Sequence, residues 1–507
     1  MAWLLVREDL VFRLRVLREM REKGVNPYPP TYRLTHTIPE IRRRNIPRVV
    51  DEGDISTAGR VMGIRRHGRA LFIDLVDEAE KLQLYARVDE LGEEGFRRVK
   101  RWINKGDFIG VKGPLFYTET GELTLLVKEY TILAKSLLEP PSQWYGLRDV
   151  EERYRRRYLD ILMNKEVRQI LLLRSRITSE IRRFLESRGF IEFETPILQP
   201  LYGGAAAKPF KTYINAINEE WFLRISDELY LKRLIIAGFN KVYEIGKDFR
   251  NEDIDATHNP ELTMLEAYQA YADYNDMMEL AESMITHVVE RLLGGLKVKH
   301  GDVELDFTPP WKRIRLIDAL GEYGGYDVEK MTDEDIVLAL EKHNIPVKAP
   351  INRGLAIAEL FEKVVGPQLQ NPTLVLDYPR ETTPLCKPHR DDDRLIERFE
   401  LYIRGIEILN AYTELNDPIL QHRFFMEEME RHRVDIELAH RYDGDFIEAL
   451  MHGMPPTGGL GMGLDRLTMV ITGQQSIKEV IFYPIQRRLH VGNPFNGIDL
   501  NSLLSRP

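Results

Sequence analysis

"RNEDIDATHNPELT" (residues 250–263) is the stretch on which the reading of the fold turns. Arg250 and Glu252 stand at i and i+2, so on a strand they share one face. A polar run containing Asp255, Thr257, His258, Asn259 and Pro260 follows, and "ELTMLEAYQAY" (261–271) then resumes an apolar pattern. The spacing predicts a hairpin with a cation and an anion on one face and a polar tip. Taken alone, the stretch favours a surface ion pair beside a decorated loop.

The rest of the chain supplies the context. At 507 residues it is too long for one core, which predicts two or three domains. A net charge of −9 argues against wholesale coating of nucleic acid, yet leaves room for local basic patches. The single cysteine, Cys386, excludes an intramolecular disulfide and a Cys-clustered zinc site. No run of about 18 apolar residues reads as a membrane span, and "AWLLV" before Arg7 is too short for a secretory signal, so the expected compartment is the cytoplasm.

Residues 8–24 carry apolar positions at helical spacing and end at Gly24, inside a helical segment taken as 1–55. From 56 to 140 short strand-like runs, among them "RALFIDLVD" and "KLQLYARV", recur at intervals of about ten residues, as in a small antiparallel barrel of about five strands. "EPPSQWYG" (139–146) marks the domain boundary, and 141–164 reads as a charged connector. From 165 to 507 strands and helices mix without regular βαβ alternation, which predicts an α+β domain on an antiparallel sheet. A mainly helical stretch near 310–370 reads as an insertion in it.

Three further stretches carry chemistry. "PPTGGLGMGLDRL" (455–467) lacks the strand–GxGxxG–helix order of a dinucleotide site and reads as a glycine strand that a ligand approaches closely, leading into a helix with Arg466. In "RFELYIRGIEILNAYTELND" (398–417), Arg404-Gly405 closes a hairpin pairing 403 with 406, 402 with 407 and 400 with 409. That register puts Glu400 and Glu407 on one face without a nearby lysine, a pair suited to magnesium. Asn410, Tyr412 and Glu414 would then point the other way, unless a bulge lies between 407 and 410. In "LYGGAAAKPF" (201–210) Gly203 and Gly204 leave room for a bound group. In "RISDELYLKRL" (224–234) Glu228 opens a helix that Ser226 caps, a place where helix-dipole compensation alone would suffice.

Together these stretches resemble the class II lysyl-tRNA synthetases. "FLESRGFIEFETPIL" (184–198) is similar to motif 1 of class II synthetases, "FRNEDIDATHNPELT" to motif 2 and "GGLGMGLDRL" to motif 3. With "GGAAAKPF", "ELYLKRL" and "NAYTELND" the match runs from about residue 10 to 486. The resemblance implies an antiparallel catalytic sheet, an N-terminal OB-fold that reads the anticodon of tRNA(Lys), and a homodimer built partly on motif 1, where Pro196 sits.

It also implies roles. ATP would be held by Arg250, Glu252, His258, Asn259, Leu262, Glu407 and Arg466, with Arg250 and Arg466 catalytic and Mg²⁺ on Glu400 and Glu407. L-lysine would be held by Gly204, Glu228, Arg250, Glu266, Tyr268, Asn410, Tyr412 and Glu414, because carboxylates at both ends of an apolar tunnel suit a ligand with two ammonium groups. An aspartate-specific pocket would need a cation facing the side chain. Arg65, Phe72, Gln83 and Glu122 would contact anticodon bases, and Arg60, Arg65, Arg66 and Arg69 form a local basic run suited to phosphates. Two positions depart from the family pattern: Leu262 stands where a phenylalanine usually stacks on adenine, and Thr257 where some relatives carry arginine. Residues beyond about 487 run past the usual end and carry no functional expectation.

Overall fold

The computed structural model describes residues 2–43, 53–141, 147, 149–300, 302–347, 350–431, 442–487, 495, 496 and 498. Most of the expected boundary at 139–146 and most of the tail after 487 fall outside them. The chain forms two compact units, one of residues 1–165 with 487–507 and one of residues 166–486.

In the first unit a helix, Ala2–Glu22, precedes seven strands. They are β1 (Ile55–His67), β2 (Ala70–Asp77), β3 (Glu80–Arg87), β4 (Phe108–Gly113), β5 (Leu115–Tyr117), β6 (Leu123–Leu126) and β7 (Glu129–Ala134). Their order is β5-β6-β3-β2-β1-β4-β7, so the expected five strands are seven, and no pairing of β5 with β7 closes the sheet among the described residues. Alternation along β2 buries Leu71, Ile73 and Leu75 in the core with Leu82, Leu84 and Leu125, and turns Phe72 and Asp74 outward. The connector is helical, Val150–Arg155 and Arg157–Met163, with a fully buried Arg157–Asp160 pair at 2.9 Å. The tail was assigned to the catalytic domain; instead it groups with this unit, where Ile498 packs on Leu10, Leu14 and Leu17.

The second unit opens with the helix Lys165–Ser187 and is built on eight strands. These are β8 (Ile191–Glu192), β12 (Lys241–Phe249), β13 (Glu261–Ala270), β16 (Lys312–Arg315), β17 (Thr373–Pro379), β18 (Leu395–Ile403), β19 (Ile406–Thr413) and β20 (Thr457–Gly463). The numbering skips β9 (Leu198–Gln199), β10 (Lys211–Ile214) and β11 (Glu219–Leu223), which form a small separate sheet, and the hairpin of β14 (Lys297–His300) with β15 (Val303–Asp306). The large sheet runs β16-β17-β18-β19-β20-β13-β12-β8, antiparallel throughout its centre and parallel only at the two edge pairs. This is the predicted α+β arrangement.

The helical stretch near 310–370 is a correction. β16 and β17 are parallel neighbours, and parallel strands need a crossover. The helices Asp333–Lys342 and Arg353–Val364 supply it, burying Ile336, Leu340, Leu360 and Phe361 against Val375 and Tyr378.

Period-2 alternation gives the sheet two different faces. Leu265, Ala267, Phe399, Leu401, Leu409, Ala411, Leu460 and Met462 face the core, where the helix Tyr274–Leu293 contributes Met277, Met284 and Ile285. Each of the Leu, Ile, Phe and Met side chains among them, fully buried, contributes about 1.5–3 kcal/mol. A capping box of Asp273 and Asp276 starts this helix, and Gly294 at φ 77° ends it. Among the residues between those core positions, Glu266, Asn410 and Gly461 face the opposite way, into a cleft.

Candidate active site

The cleft has a volume of about 380 Å³, within the range of small-molecule sites. Arg250, Glu252, His258, Asn259, Leu262, Glu407 and Arg466 all line it. So do Gly204, Glu228, Glu266, Tyr268, Asn410, Tyr412 and Glu414. Glu400 does not line it.

The opening stretch differs from its sequence reading in one respect. β12 ends at Phe249, so Arg250 and Glu252 belong to the connecting loop rather than to a strand face. Arg250 is fixed there by its own backbone, N–H donating to Pro260 O at 2.8 Å, and by Nε donating to Ile225 O at 3.3 Å. Glu252 Oε1 accepts from the Lys208 amide at 3.4 Å. Leu262, Glu266 and Tyr268 do lie on β13 and face the cleft together.

A bulge decides the third wall. Ile403 pairs with Ile406 and Tyr402 with Glu407, as expected, but the ladder then slips so that Leu401 pairs with Leu409 and Glu400 with Asn410, not with residue 409. Ile408 is the extra residue, and its insertion lets Glu407, Asn410 and Tyr412 all reach the cleft. Glu400 is not a free carboxylate. Arg398 pairs with it, and the Tyr378 and Tyr402 hydroxyls donate to its Oε2 at 2.8 and 3.0 Å. Burial pushes its pKa up against the pull of Arg398. The sequence reading looked for a lysine near this pair and overlooked the arginine two residues earlier.

Arg466, in the first turn of the helix Leu464–Thr472, donates through Nη1 to Glu407 O and Oε2, both at 3.1 Å. Its Nη2 lies 3.1 Å from His258 Nε2, which places the imidazole proton on Nδ1, 2.8 Å from Asp255. Partial burial raises the Asp255 pKa, but hydrogen bonds from the Thr257 amide and from His258 outweigh it and hold the carboxyl at about 2. Asp465 accepts from the Thr263 amide at 2.8 Å and pairs with Arg174, tying the helix to β13.

Around the other residues the charge is mostly negative and buried. Glu266 accepts from the Tyr268 hydroxyl at 2.9 Å, and burial together with Asp227, Glu228 and Asp248 pushes its pKa well above the carboxylate range. Burial likewise raises Glu228, and pushes Glu414 up to about 8 although Lys232 opposes it. Lys232 is the residue that sequence reasoning missed. It is fully buried, and its ammonium lies 2.5 Å from both Glu228 Oε1 and Glu414 Oε2. Its i+4 spacing from Glu228 was the available signal.

The glycine strand serves these carboxylates. A Cβ on Gly459 would meet Glu414 Oε1 at 2.1 Å and the Tyr268 ring at 2.4 Å. A Cβ on Gly461 would meet Glu266 Oε1 at 2.6 Å. Bare backbone at both positions therefore lets side chains of the neighbouring strands stand over β20.

In the N-terminal unit Arg65, Phe72 and Gln83 share one sheet face: Arg65 pairs with Phe72 in register, and Phe72 with Tyr85. Arg65 Nη2 donates to Gln83 Oε1 at 3.1 Å while Asp74 holds its other nitrogen at 2.6 Å. Glu122, just before β6, takes a hydrogen bond from Arg42 at 3.1 Å. Phe72 stacks on Tyr85 with ring centroids 4.9 Å apart. The basic run is largely engaged within the protein: Arg60 lies over the Phe108 ring at 4.3 Å and Arg69 pairs with Glu93 at 2.8 Å.

Comparison with known proteins agrees with both halves. Residues 55–133 match the OB-fold nucleic acid binding domain and residues 149–487 match the tRNA synthetases class II (D, K and N). The chain is 54% identical to the lysine–tRNA ligase of Saccharolobus solfataricus over 93% of this chain and 96% of the relative. It is 47% identical to that of Thermotoga maritima over 93% and 95%, and 46% identical to lysine–tRNA ligase 2 of Methanosarcina acetivorans over 94% of each. With a cleft on an antiparallel sheet and an OB-fold ahead of it in the sequence, the chain belongs to the class II tRNA synthetases.

Proposed function

We propose that this chain forms lysyl-adenylate in the cleft of residues 166–486 and then transfers lysine to the 3′ end of tRNA(Lys), as a lysine–tRNA ligase. The observation that supports it most directly is the set of three buried carboxylates, Glu228, Glu266 and Glu414, with one resident ammonium, Lys232. A buried surplus of negative charge is costly until a cation arrives. L-lysine brings two ammonium groups and one carboxylate, which Arg250 faces.

The lysine carboxylate oxygen attacks the α-phosphorus of ATP, forming one P–O bond as the bond to pyrophosphate breaks. Arg250 lies between the two anions and stabilises charge on the pentavalent phosphorus. Glu252 accepts from the adenine amino group, Asn259 faces the nucleotide, Leu262 packs on the ring, and His258 with Arg466 holds the γ-phosphate. Asp255 orients the imidazole so that Nε2 is directed at Arg466. In the second step the terminal ribose hydroxyl of the tRNA attacks the lysyl carbonyl and AMP leaves. Positioning and electrostatics suffice for both steps.

Magnesium, when bound, neutralises charge on the leaving pyrophosphate. Glu407 fits it: the side chain is 39% exposed in the cleft and its carboxylate is shared with Arg466. Magnesium is commonly held by one or two carboxylates together with substrate phosphates. Glu400, paired with Arg398 and outside the cleft lining, is engaged within the protein, so Glu407 is the carboxylate that would hold the ion.

Arg65, Phe72, Gln83 and Glu122 are the proposed anticodon contacts, Phe72 by stacking and the polar three at base edges. A homodimer is supported by the exposed apolar residues Ile191, Ile197 and Leu198 around Pro196. No helix among the described residues is long and apolar enough to cross a membrane, and the proposed site of action is the cytoplasm.

Amino-acid-dependent ATP–pyrophosphate exchange across the twenty standard amino acids tests the reading. Exchange with lysine is expected; exchange with aspartate or asparagine but not lysine refutes it.

A further inference from the structure

Lys232 has no part in the chemistry above, yet it is the most enclosed charge near the cleft. Its side chain is 0% exposed, against 6% for Glu228 and 1% for Glu414. It rises one helical turn beyond Glu228, reaches Glu414 at the end of a different element, and has the Tyr268 ring 5.9 Å from its ammonium. Both carboxylates line the cleft, whereas Lys232 lies behind them.

We propose that Lys232 is a resident counter-ion that sets the charge of the lysine pocket, and so is a specificity-determining positioning residue for this reaction. The inference rests on the lysine–tRNA ligase reading. Three carboxylates supply enough oxygens to surround two ammonium groups, but they carry one negative charge more than lysine's two ammonium groups can neutralise. Lys232 removes that surplus from beneath without occupying the substrate's space. A purely structural role explains the arrangement poorly, because an apolar side chain of equal volume commonly stabilises a core at least as well as a buried ion triad. The clamp also fixes both carboxylates, each with one oxygen on Lys232, and leaves Glu414 Oε1 buried without a hydrogen-bond partner in the protein. Lys232 is thus a fixed cation that the substrate joins rather than displaces.

The test compares Lys232→Met, Glu414→Gln and the double variant with the wild type in lysine-dependent ATP–pyrophosphate exchange, with KM for lysine and for ATP measured separately and Tm recorded. Lys232→Met is expected to raise the lysine KM at least tenfold while the ATP KM stays within twofold. Glu414→Gln in that background restores the charge balance, so the double variant is expected to have a lysine KM at least threefold below that of Lys232→Met. A lysine KM within twofold of wild type in Lys232→Met overturns the proposal. So does a parallel rise in both KM values, or a double variant no better than the single. If Lys232→Met does not fold, the double variant decides by folding and exchanging with lysine; its failure to fold makes the lysine purely structural and ends the proposal. Absence of lysine-dependent exchange in the wild type would instead refute the functional reading itself.

Discussion

Replacing Gly461 with alanine should damage lysine recognition and spare ATP recognition. The added Cβ would lie 2.6 Å from Glu266 Oε1 and 3.1 Å from its Cδ, whereas ordinary contact begins at 3.4 Å. The carboxylate must therefore retreat by about 0.8 Å, giving up its 2.9 Å hydrogen bond from Tyr268 or turning away from the ligand. A misplacement of about 1 Å in a binding group costs on the order of 100-fold. We therefore expect the lysine KM to rise 10- to 100-fold, about 1.4–2.7 kcal/mol. The backbone offers no competing explanation, since Gly461 is not in the left-handed region and alanine tolerates its φ. Steady-state exchange kinetics with lysine and ATP varied in turn, plus Tm, make the assay. Gly463→Ala is the steric contrast: its Cβ would meet nothing closer than 3.7 Å, so its lysine KM should change by less than threefold. Equal kinetics for Gly461→Ala and wild type would refute the view that bare backbone makes room for Glu266.

Leu262→Phe should lower the KM for ATP by about 2- to 12-fold, the equivalent of 0.5–1.5 kcal/mol of aromatic stacking; an unchanged or raised value means another group already covers the adenine. Lysine affinity should rise with pH between 6 and 7.5. Burial and Glu228 hold Glu414 at about 8 despite Lys232, so it is mainly protonated in the empty cleft at pH 6, and burial raises Glu266 in the same direction. Binding an ammonium ionises Glu414 and expels its proton, so apparent affinity increases by up to about tenfold per pH unit. Calorimetry in buffers of different ionisation enthalpy reads that release, and proton uptake would contradict it. Phe72→Ala should weaken tRNA(Lys) binding by about 1–3 kcal/mol, the usual worth of one base on an aromatic ring. Exchange without tRNA should be unchanged, and equal tRNA affinity would remove Phe72 from the anticodon contacts.

Patterns of period two and motif order made much of this site legible. Alternation along 398–413 called for a bulge between 407 and 410, and Ile408 supplies it. Counting by twos puts Leu262, Glu266 and Tyr268 on one face, and they lie so because β13 is a regular ten-residue strand. The same parity misplaced Arg250 and Glu252, because β12 stops at Phe249 and local sequence does not mark where pairing ends. The crossover between β16 and β17 was read as an insertion because a four-residue edge strand is too short to register beside long helices. Lys232 was passed over for a physical reason: a lysine on a helix is normally solvated, and the i+4 spacing from Glu228 does not reveal the second carboxylate, Glu414, that reaches it from another element. The neutralisation of Glu400 was hidden differently, since Arg398 was in plain view but only the sheet face shows that it turns toward the acid.

Ile408 separates two stretches of one strand. On its tip side Glu407 joins Arg466; on its base side Asn410, Tyr412 and the following Glu414 line the cleft. Each stretch keeps its own phase, and the extra residue absorbs the mismatch between them. Deleting it would leave 402 opposite 407 and 401 opposite 409, a regular ladder in which neither group changes sides. The bulge is therefore a seam: one added residue lets two groups of side chains at odd spacing along a single strand share one wall of the cleft.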